Sequence, residues 1–145
     1  VQLLGILVMG IVFQIPFGLM QFGRLLLVVP IICLLGGAFG TLVMANIPDQ
    51  KQANQIFPFL IFPQFFLAGV FSPIKNLPPL LMLLSRLAPM TWGVDLIRSM
   101  YYWDDPAYSK VVLHSPILNL AVIGVMFVVM MVVGTRIFVK NERNR

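Results

Sequence analysis

The sequence predicts an all-α integral membrane protein: four transmembrane helices plus an external re-entrant helical hairpin before the last span. Three observations predict it. The 145 residues are 59% hydrophobic, with a mean hydropathy of +0.94, well above the apolar share of about 45–50% in a soluble domain. The apolar residues gather into four runs, residues 1–20, 25–45, 56–71 and 117–139, near the roughly 20 residues that cross a ~30 Å hydrocarbon core. Residues 69–102, GVFSPIKNLPPLLMLLSRLAPMTWGVDLIRSMYY, lie between the last two runs but are too polar to be another span. Arg86, Asp95 and Arg98 would each cost about 2.5–3.5 kcal/mol at a bilayer centre, and Pro89 lacks a helix donor.

Composition narrows the function classes. A net charge of +5 comes from ten Lys and Arg residues against five acidic ones. The cations are scattered apart from Lys140, Arg143 and Arg145, a pattern of basic helix flanks rather than a nucleic-acid surface. Cys33 is the only cysteine, which excludes an intramolecular disulfide and a Cys-based metal cluster. Val1 already sits in apolar sequence, with no initiator Met and no basic leader, so further sequence is expected upstream.

The run 1–20 is interrupted by Gln14 and Pro16, read as a kink whose freed backbone groups are re-satisfied by neighbouring helices rather than as a cavity lining. Gln21 to Arg24 (QFGR) reads as a tight polar turn, making the first two spans an antiparallel pair. In the second span Gly36, Gly37, Ala38 and Gly40 place small residues on one face. The four-residue spacing of Gly36 and Gly40 permits close backbone approach to a neighbour. Residues 46–55 form a solvated loop carrying Asp49 and Lys51. The third run contains Pro58 and Pro63 and is just long enough to span if it tilts little.

Residues 72–102 form the hairpin. Pro78 and Pro79 suit a helix start, residues 80–87 make a short apolar arm, and Pro89 ends it because the residue before a proline leaves the helical region. Thr91 can cap the second arm, Asp95 lies early in it, and Asp95 and Arg98, three apart, can pair. Tyr101, Tyr102 and Trp103 prefer the headgroup level and anchor the hairpin's end. Residues 104–115 follow as a polar loop. The last span is flanked by Arg136, Lys140, Arg143 and Arg145, which places the C-terminus in the cytoplasm. With four crossings, the loop 46–55 is then cytoplasmic and the hairpin external. A count of Lys and Arg alone gives five on each side, so the orientation rests on the C-terminal cluster.

Enzyme constellations are missing. None of Lys51, Lys75, Lys110 and Lys140 follows a glycine, so there is no phosphate-binding P-loop. His114 is the only histidine, which excludes a two-histidine zinc site; it reads as a solvated loop residue. Asp104 and Asp105, followed by Pro106, mark a turn. The four spans hold no carboxylate, which argues against an intramembrane proton relay or an intramembrane enzyme.

The segments Gly69-Val-Phe-Ser-Pro73, Leu77-Pro78 and Pro89-Met-Thr-Trp-Gly-Val-Asp95-Leu-Ile-Arg98 resemble, in order and spacing, the ABC-2 type permease family, the membrane subunits of ATP-driven exporters. The motif residues are Gly69, Pro73, Pro78, Pro89, Thr91, Asp95 and Arg98. The resemblance covers essentially the whole chain as the last four of six spans, so two family spans and a cytoplasmic element that meets the ATPase are expected upstream. It implies a multi-pass protein of the cell (plasma or inner) membrane. Its implied partners are a separate ATP-binding subunit, a second permease copy in a homo- or heterodimer, and membrane lipids, with no nucleic acid and no cofactor in this chain. Cargo in the family is an amphipathic drug, lipid or lipid-linked glycan moved outward. Within this reading Asp95 and Arg98 hold the hairpin in one arrangement, against the alternative of an exposed pair worth about 0–1 kcal/mol. The competing function is a non-transporting membrane scaffold or assembly factor whose hairpin docks a partner.

Overall fold

The computed structural model describes residues 8, 10, 12, 18–47, 49–71, 74 and 77–143. The run 1–20, with Gln14 and Pro16, falls almost wholly outside these, as does Pro73. Among the described residues the regular structure is all helix, with no strand.

Helix α1 runs Leu19–Ala45. Its first turn is closed by Gln21, whose Oε1 accepts from the Gly18 N–H at 2.9 Å. The expected turn at Gln21 to Arg24 is therefore absent, because a glutamine three residues after the cap supplies the acceptor that starts a helix. Pro30 lies inside α1, where it removes one backbone donor, a defect membrane helices tolerate. Helix α2, Gln50–Leu67, begins where Asp49 accepts from the Lys51 N–H at 3.2 Å. The loop expected over 46–55 thus shrinks to its first few residues, and the expected span 56–71 becomes a helix displaced toward the N-terminus with a polar first turn.

Glycine terminates α2. Gly69 has φ 68°, its N–H donates to Phe66 O at 3.1 Å, and the Val70 N–H donates to Phe65 O at 3.1 Å. These are the paired bonds of a left-handed helix stop that a side chain would strain. Helices α3 (Pro79–Leu87) and α4 (Pro89–Tyr101) each start with proline at the first position. Between them Ala88 is extended (φ −77°, ψ 120°), as a residue before proline must be, and the two axes bend by 84°. A one-turn helix, α5 (Tyr108–Val111), interrupts the expected polar loop. Helix α6, Pro116–Arg143, starts at Ser115, whose Oγ accepts from the Leu118 N–H at 3.3 Å.

Two stretches, Met20–Ala45 and Tyr108–Asn141, are long and apolar enough to cross a membrane, and the bent pair α3–α4 would be a third if it is one broken span. Among the described residues there are thus two or three such spans; the first of the four expected, the run 1–20, lies outside the described residues. Helix α1 packs most extensively on α6, and α4 lies against both, whereas α2 meets mainly α3 and α4. Trp92 and Leu96 of α4 join Val28 and Leu35 of α1 and Ile123 of α6 in a buried cluster.

Helices α1 and α6 run parallel. Asn141 Nδ2 donates to Ala45 O at 2.9 Å, so their C-terminal ends meet. Close approach occurs at Gly134, where an added Cβ would stand 3.2 Å from Leu42 Cα and 3.3 Å from its N. The small-residue face behaves otherwise: Cβ atoms at Gly36, Gly37 or Gly40 would meet nothing within 4 Å. The tight contact expected at the glycines is instead made by Gly134, since the packed face of α1 carries Val28, Leu35 and, of the four small residues, Ala38 alone. Because lipid is as apolar as leucine, such helix pairs depend on close fit and polar ties. Gly134→Ala is expected to destabilise the detergent-solubilised protein by about 1–3 kcal/mol, since backbone atoms cannot swing aside. Gly36→Ala is expected not to lower stability. Equal melting temperatures for the two variants would overturn the close α1–α6 approach.

Candidate functional site

Helix α4 is where the chemistry-bearing residues converge. It is amphipathic in an inverted sense: the side turned into the protein bears Thr91, Asp95 and Ser99 beside Trp92 and Leu96, all buried. Gly93 lies against Ile32 of α1, with 3.8 Å from an added Cβ to the Ile32 side chain. At the other end Gln21 Nε2 donates to Tyr101 O at 3.2 Å. Helix α4 therefore runs antiparallel to α1, with its first residue level with the middle of α1 and its last level with the start.

Asp95 is 1% exposed. Its Oδ1 accepts from the Leu113 N–H at 2.9 Å, and its Oδ2 accepts from the His114 N–H at 2.9 Å and from Asn119 Nδ2 at 3.0 Å. A carboxylate with several donors is a strong acceptor even out of water. Two donors are backbone groups of the link before α6 and one is a fully buried side chain in its first turns, so the carboxylate fixes where α6 begins. His114 Nδ1 stands 3.5 Å from Asp95 Oδ2 and has no hydrogen-bond partner among the described residues. The two observations agree once 3.5 Å is taken as proximity without a formed bond. The imidazole lies on Trp92, with ring centroids 4.7 Å apart and 31° between the planes. The expected solvated histidine is thus part of the packing.

Arg98 serves another neighbour. Its Nη2 donates to Gly69 O, 2.6 Å away, satisfying a carbonyl of the turn that ends α2. No ion pair forms between Arg98 and Asp95. The expected intrahelical pair is replaced by two ties in different directions, Asp95 to α6 and Arg98 to α2. Nor is either residue part of an exposed pair. Thr91 does not cap α4, which begins two residues earlier at Pro89. Its Oγ1 donates instead to Leu67 O at 3.4 Å, at the end of α2. Trp92 Nε1 donates to Arg86 O at 2.8 Å, bracing the bend between α3 and α4. Pro78 is the residue just before α3, and its carbonyl accepts from the Met82 N–H at 2.9 Å.

A third tie joins the end of α4 to α1. Arg24 Nη2 lies 2.8 Å from Asp104 Oδ2, and its guanidinium carbon is 5.7 Å from the Trp103 ring centre. Asp105 sits in the same turn, its Oδ1 accepting from the Ala107 N–H at 2.7 Å. On the face of α4 turned to α1 and α2 is an apolar groove of about 290 Å³, lined by Ile32, Phe39, Ile61, Met90 and Ile97 among others. Among the described residues there is no group of three or more His, Cys, Asp or Glu that could hold a metal.

Sequence reasoning missed Gln21, Trp92, His114 and Asn119 as members of this network. Asn119 carried a signal: it is the one amide between Ser115 and Arg136, and a polar residue in a span normally has a partner.

Comparison with known proteins follows the same stretch. The family model described as ABC-2 type transporter matches residues 1–102, a segment that includes Asp95 and Arg98 but ends before Leu113, His114 and Asn119. Nodulation protein J of Rhizobium meliloti (strain 1021) is 31% identical over 84 residues, an alignment covering 56% of this chain and 32% of that protein. Nodulation protein J of Sinorhizobium fredii (strain NBRC 101917 / NGR234) matches to the same extent. The chain spans about a third of the length of the curated relatives it matches. No solved structure matches.

Asp95→Ala is expected to lower stability by about 1–3 kcal/mol for each buried donor left without a partner, because it orphans the donors of Leu113, His114 and Asn119 together. Arg98→Met, which orphans a carbonyl, is expected to cost about 1–3 kcal/mol. Thermal unfolding in detergent measures both. An Asp95 variant as stable as the parent would refute the assignment of the carboxylate as the anchor of α6.

Proposed function

The chain belongs to the ABC-2 type transporter family, and from that premise we propose that it is membrane-spanning permease sequence of an exporter driven by ATP hydrolysis on a separate subunit. The family membership carries the reading, and it makes the chain a transport component of a membrane rather than the catalytic one. Cargo is an amphipathic drug, lipid or lipid-linked glycan moved outward. The lining of the groove beside α4 supports an apolar moiety in that cargo, since buried apolar surface favours such groups by about 25 cal/mol per Å².

In this proposal α3 and α4 form a re-entrant element on the outer side, and the permease works as a dimer in the cell membrane. The parallel course of α1 and α6 supports the arrangement: both run outside to inside, and the cations Arg136, Lys140 and Arg143 then face the cytoplasm, as such flanks do. The motif residues act as positioning residues. Gly69 stops α2, Pro78 and Pro89 set the two helix starts, and Thr91, Asp95 and Arg98 tie α4 to α2 and α6. Pro73 belongs to the same proposed motif and lies outside the described residues.

The test is co-expression of the full-length permease with a nucleotide-binding subunit encoded beside it. The two are expected to co-purify, and ATP hydrolysis in proteoliposomes is expected to rise when amphipathic cargo is added. Asp95→Asn, which keeps one acceptor oxygen but turns an amide N–H toward the remaining donors, is expected to reduce export several-fold and to lower expression less than Asp95→Ala. A permease that purifies without any ATPase and shows no cargo-stimulated hydrolysis would identify the scaffold reading instead.

A further inference from the structure

The last helix turns a broad apolar side outward, and one line of residues along that side changes character in the middle. Positions 125, 129, 132, 136, 140 and 143 succeed one another at intervals of three or four, the spacing that keeps residues on one helix face. In the first half of the stripe stand Val125, Val129 and Val132, which are 63%, 53% and 44% exposed. In the second half stand Arg136, Lys140 and Arg143, all exposed, around a surface recess that Thr135 and Val139 complete. The ion pairs among the described residues involve none of these three cations. The packed side of α6 lies elsewhere, at Asn119, Ile123 and Gly134.

Dimensions identify what such a stripe fits. From Val125 to Arg136 the axis rises about 16 Å at 1.5 Å per residue, half of a ~30 Å hydrocarbon core and so about one leaflet. From Arg136 to Arg143 it rises about 10 Å more, through the depth of a headgroup layer. A valine track one leaflet deep, ending in three stacked cations, matches one bilayer phospholipid lying along the helix with its acyl chain on the valines. A free anion would have no use for the valines, and an acidic protein surface could not reach them.

We propose that this face of α6 is a binding site for an anionic phospholipid, whose phosphate is held by Arg136, Lys140 and Arg143 and whose acyl chain lies on Val125, Val129 and Val132. Guanidinium groups at both ends of the cluster can each bind phosphate oxygens two at a time, and Lys140 adds a point charge between them. The site needs neither a cargo nor a nucleotide-binding subunit and stands apart from the network around α4.

The test uses full-length protein reconstituted in phosphatidylcholine with a minority of phosphatidylglycerol, released into mild detergent, and weighed by native mass spectrometry with its retained lipids. Phosphatidylglycerol is expected to be enriched about five- to tenfold over its share of the bilayer, as attraction of three cations to anionic lipid allows. Arg143→Gln is expected to lose part of that enrichment and the triple variant R136Q/K140Q/R143Q nearly all of it. R136K/R143K is expected to keep most of it. Val129→Gln, with the cations intact, is expected to weaken retention as well. Enrichment unchanged in both glutamine variants of the cations overturns the proposal. So does full displacement of the lipid by inorganic phosphate, which would make the ligand a free anion. Dimerisation that buries the valines and excludes lipid would overturn it too.

Discussion

The Asp95 carboxylate is the constraint on which the arrangement of the other helices depends. In a bilayer the hydrophobic effect does not sort one helix against another, so orientation must come from fit and from polar bonds. Asp95 supplies the latter at a buried place, with three donors converging on its two oxygens. Two of those donors belong to backbone that would otherwise be orphaned where the chain turns into α6, and orphaned backbone groups in an apolar setting are costly. The carboxylate is therefore both satisfied by the turn and the reason the turn is held where it is.

Around that anchor the remaining ties fall on different sides of α4. Arg98 and Thr91 reach carbonyls at the end of α2, and Gln21, Arg24 and Trp103 join its last turn and the turn after it to α1. The bonds of Arg98, Thr91 and Gln21 are made to carbonyls at a helix terminus or a turn, where main-chain groups lack intrahelical partners. The polar residues of α4 therefore fulfil two needs with one contact. They leave water themselves, and they satisfy helix ends that lipid could not.

Much of the local structure was legible because proline and glycine act on their own backbone. Pro89 forces Ala88 out of the helical region wherever the chain goes next, so the break between α3 and α4 could be read from the dipeptide. Gly69 closing α2 obeys the same kind of local rule, although the expected span 56–71 runs two residues past it. The partners of Asp95 and Arg98 could not be read that way. Spacing made them look like a pair, but the donors that won are the main-chain N–H groups of residues 113 and 114, which carry no side-chain signature. The turn at Gln21 to Arg24 failed for a related reason: polarity suggested a surface, while tertiary partners at the end of α4 and in the turn after it absorbed Gln21 and Arg24. Likewise the glycines of α1 were visible as a stripe, yet the helix meets its neighbour along a different face.

The distribution of contacts also fixes how load can pass through the protein. Helices α1 and α6 are locked at one end by the approach of Gly134 to Leu42 and the Asn141 bond to Ala45, and at the other through the core they share with α4. Helix α2 has no comparable bed: its main packing is on α3 and α4, and a groove separates it from α1. The bonds of Thr91 and Arg98 therefore join α2 to α4, and the Asp95 carboxylate joins α4 to α6. The link from α2 to α6 is thus a series of hydrogen bonds rather than a sliding apolar surface. Directional bonds of this kind hold a helix end to a definite position more sharply than an apolar contact does.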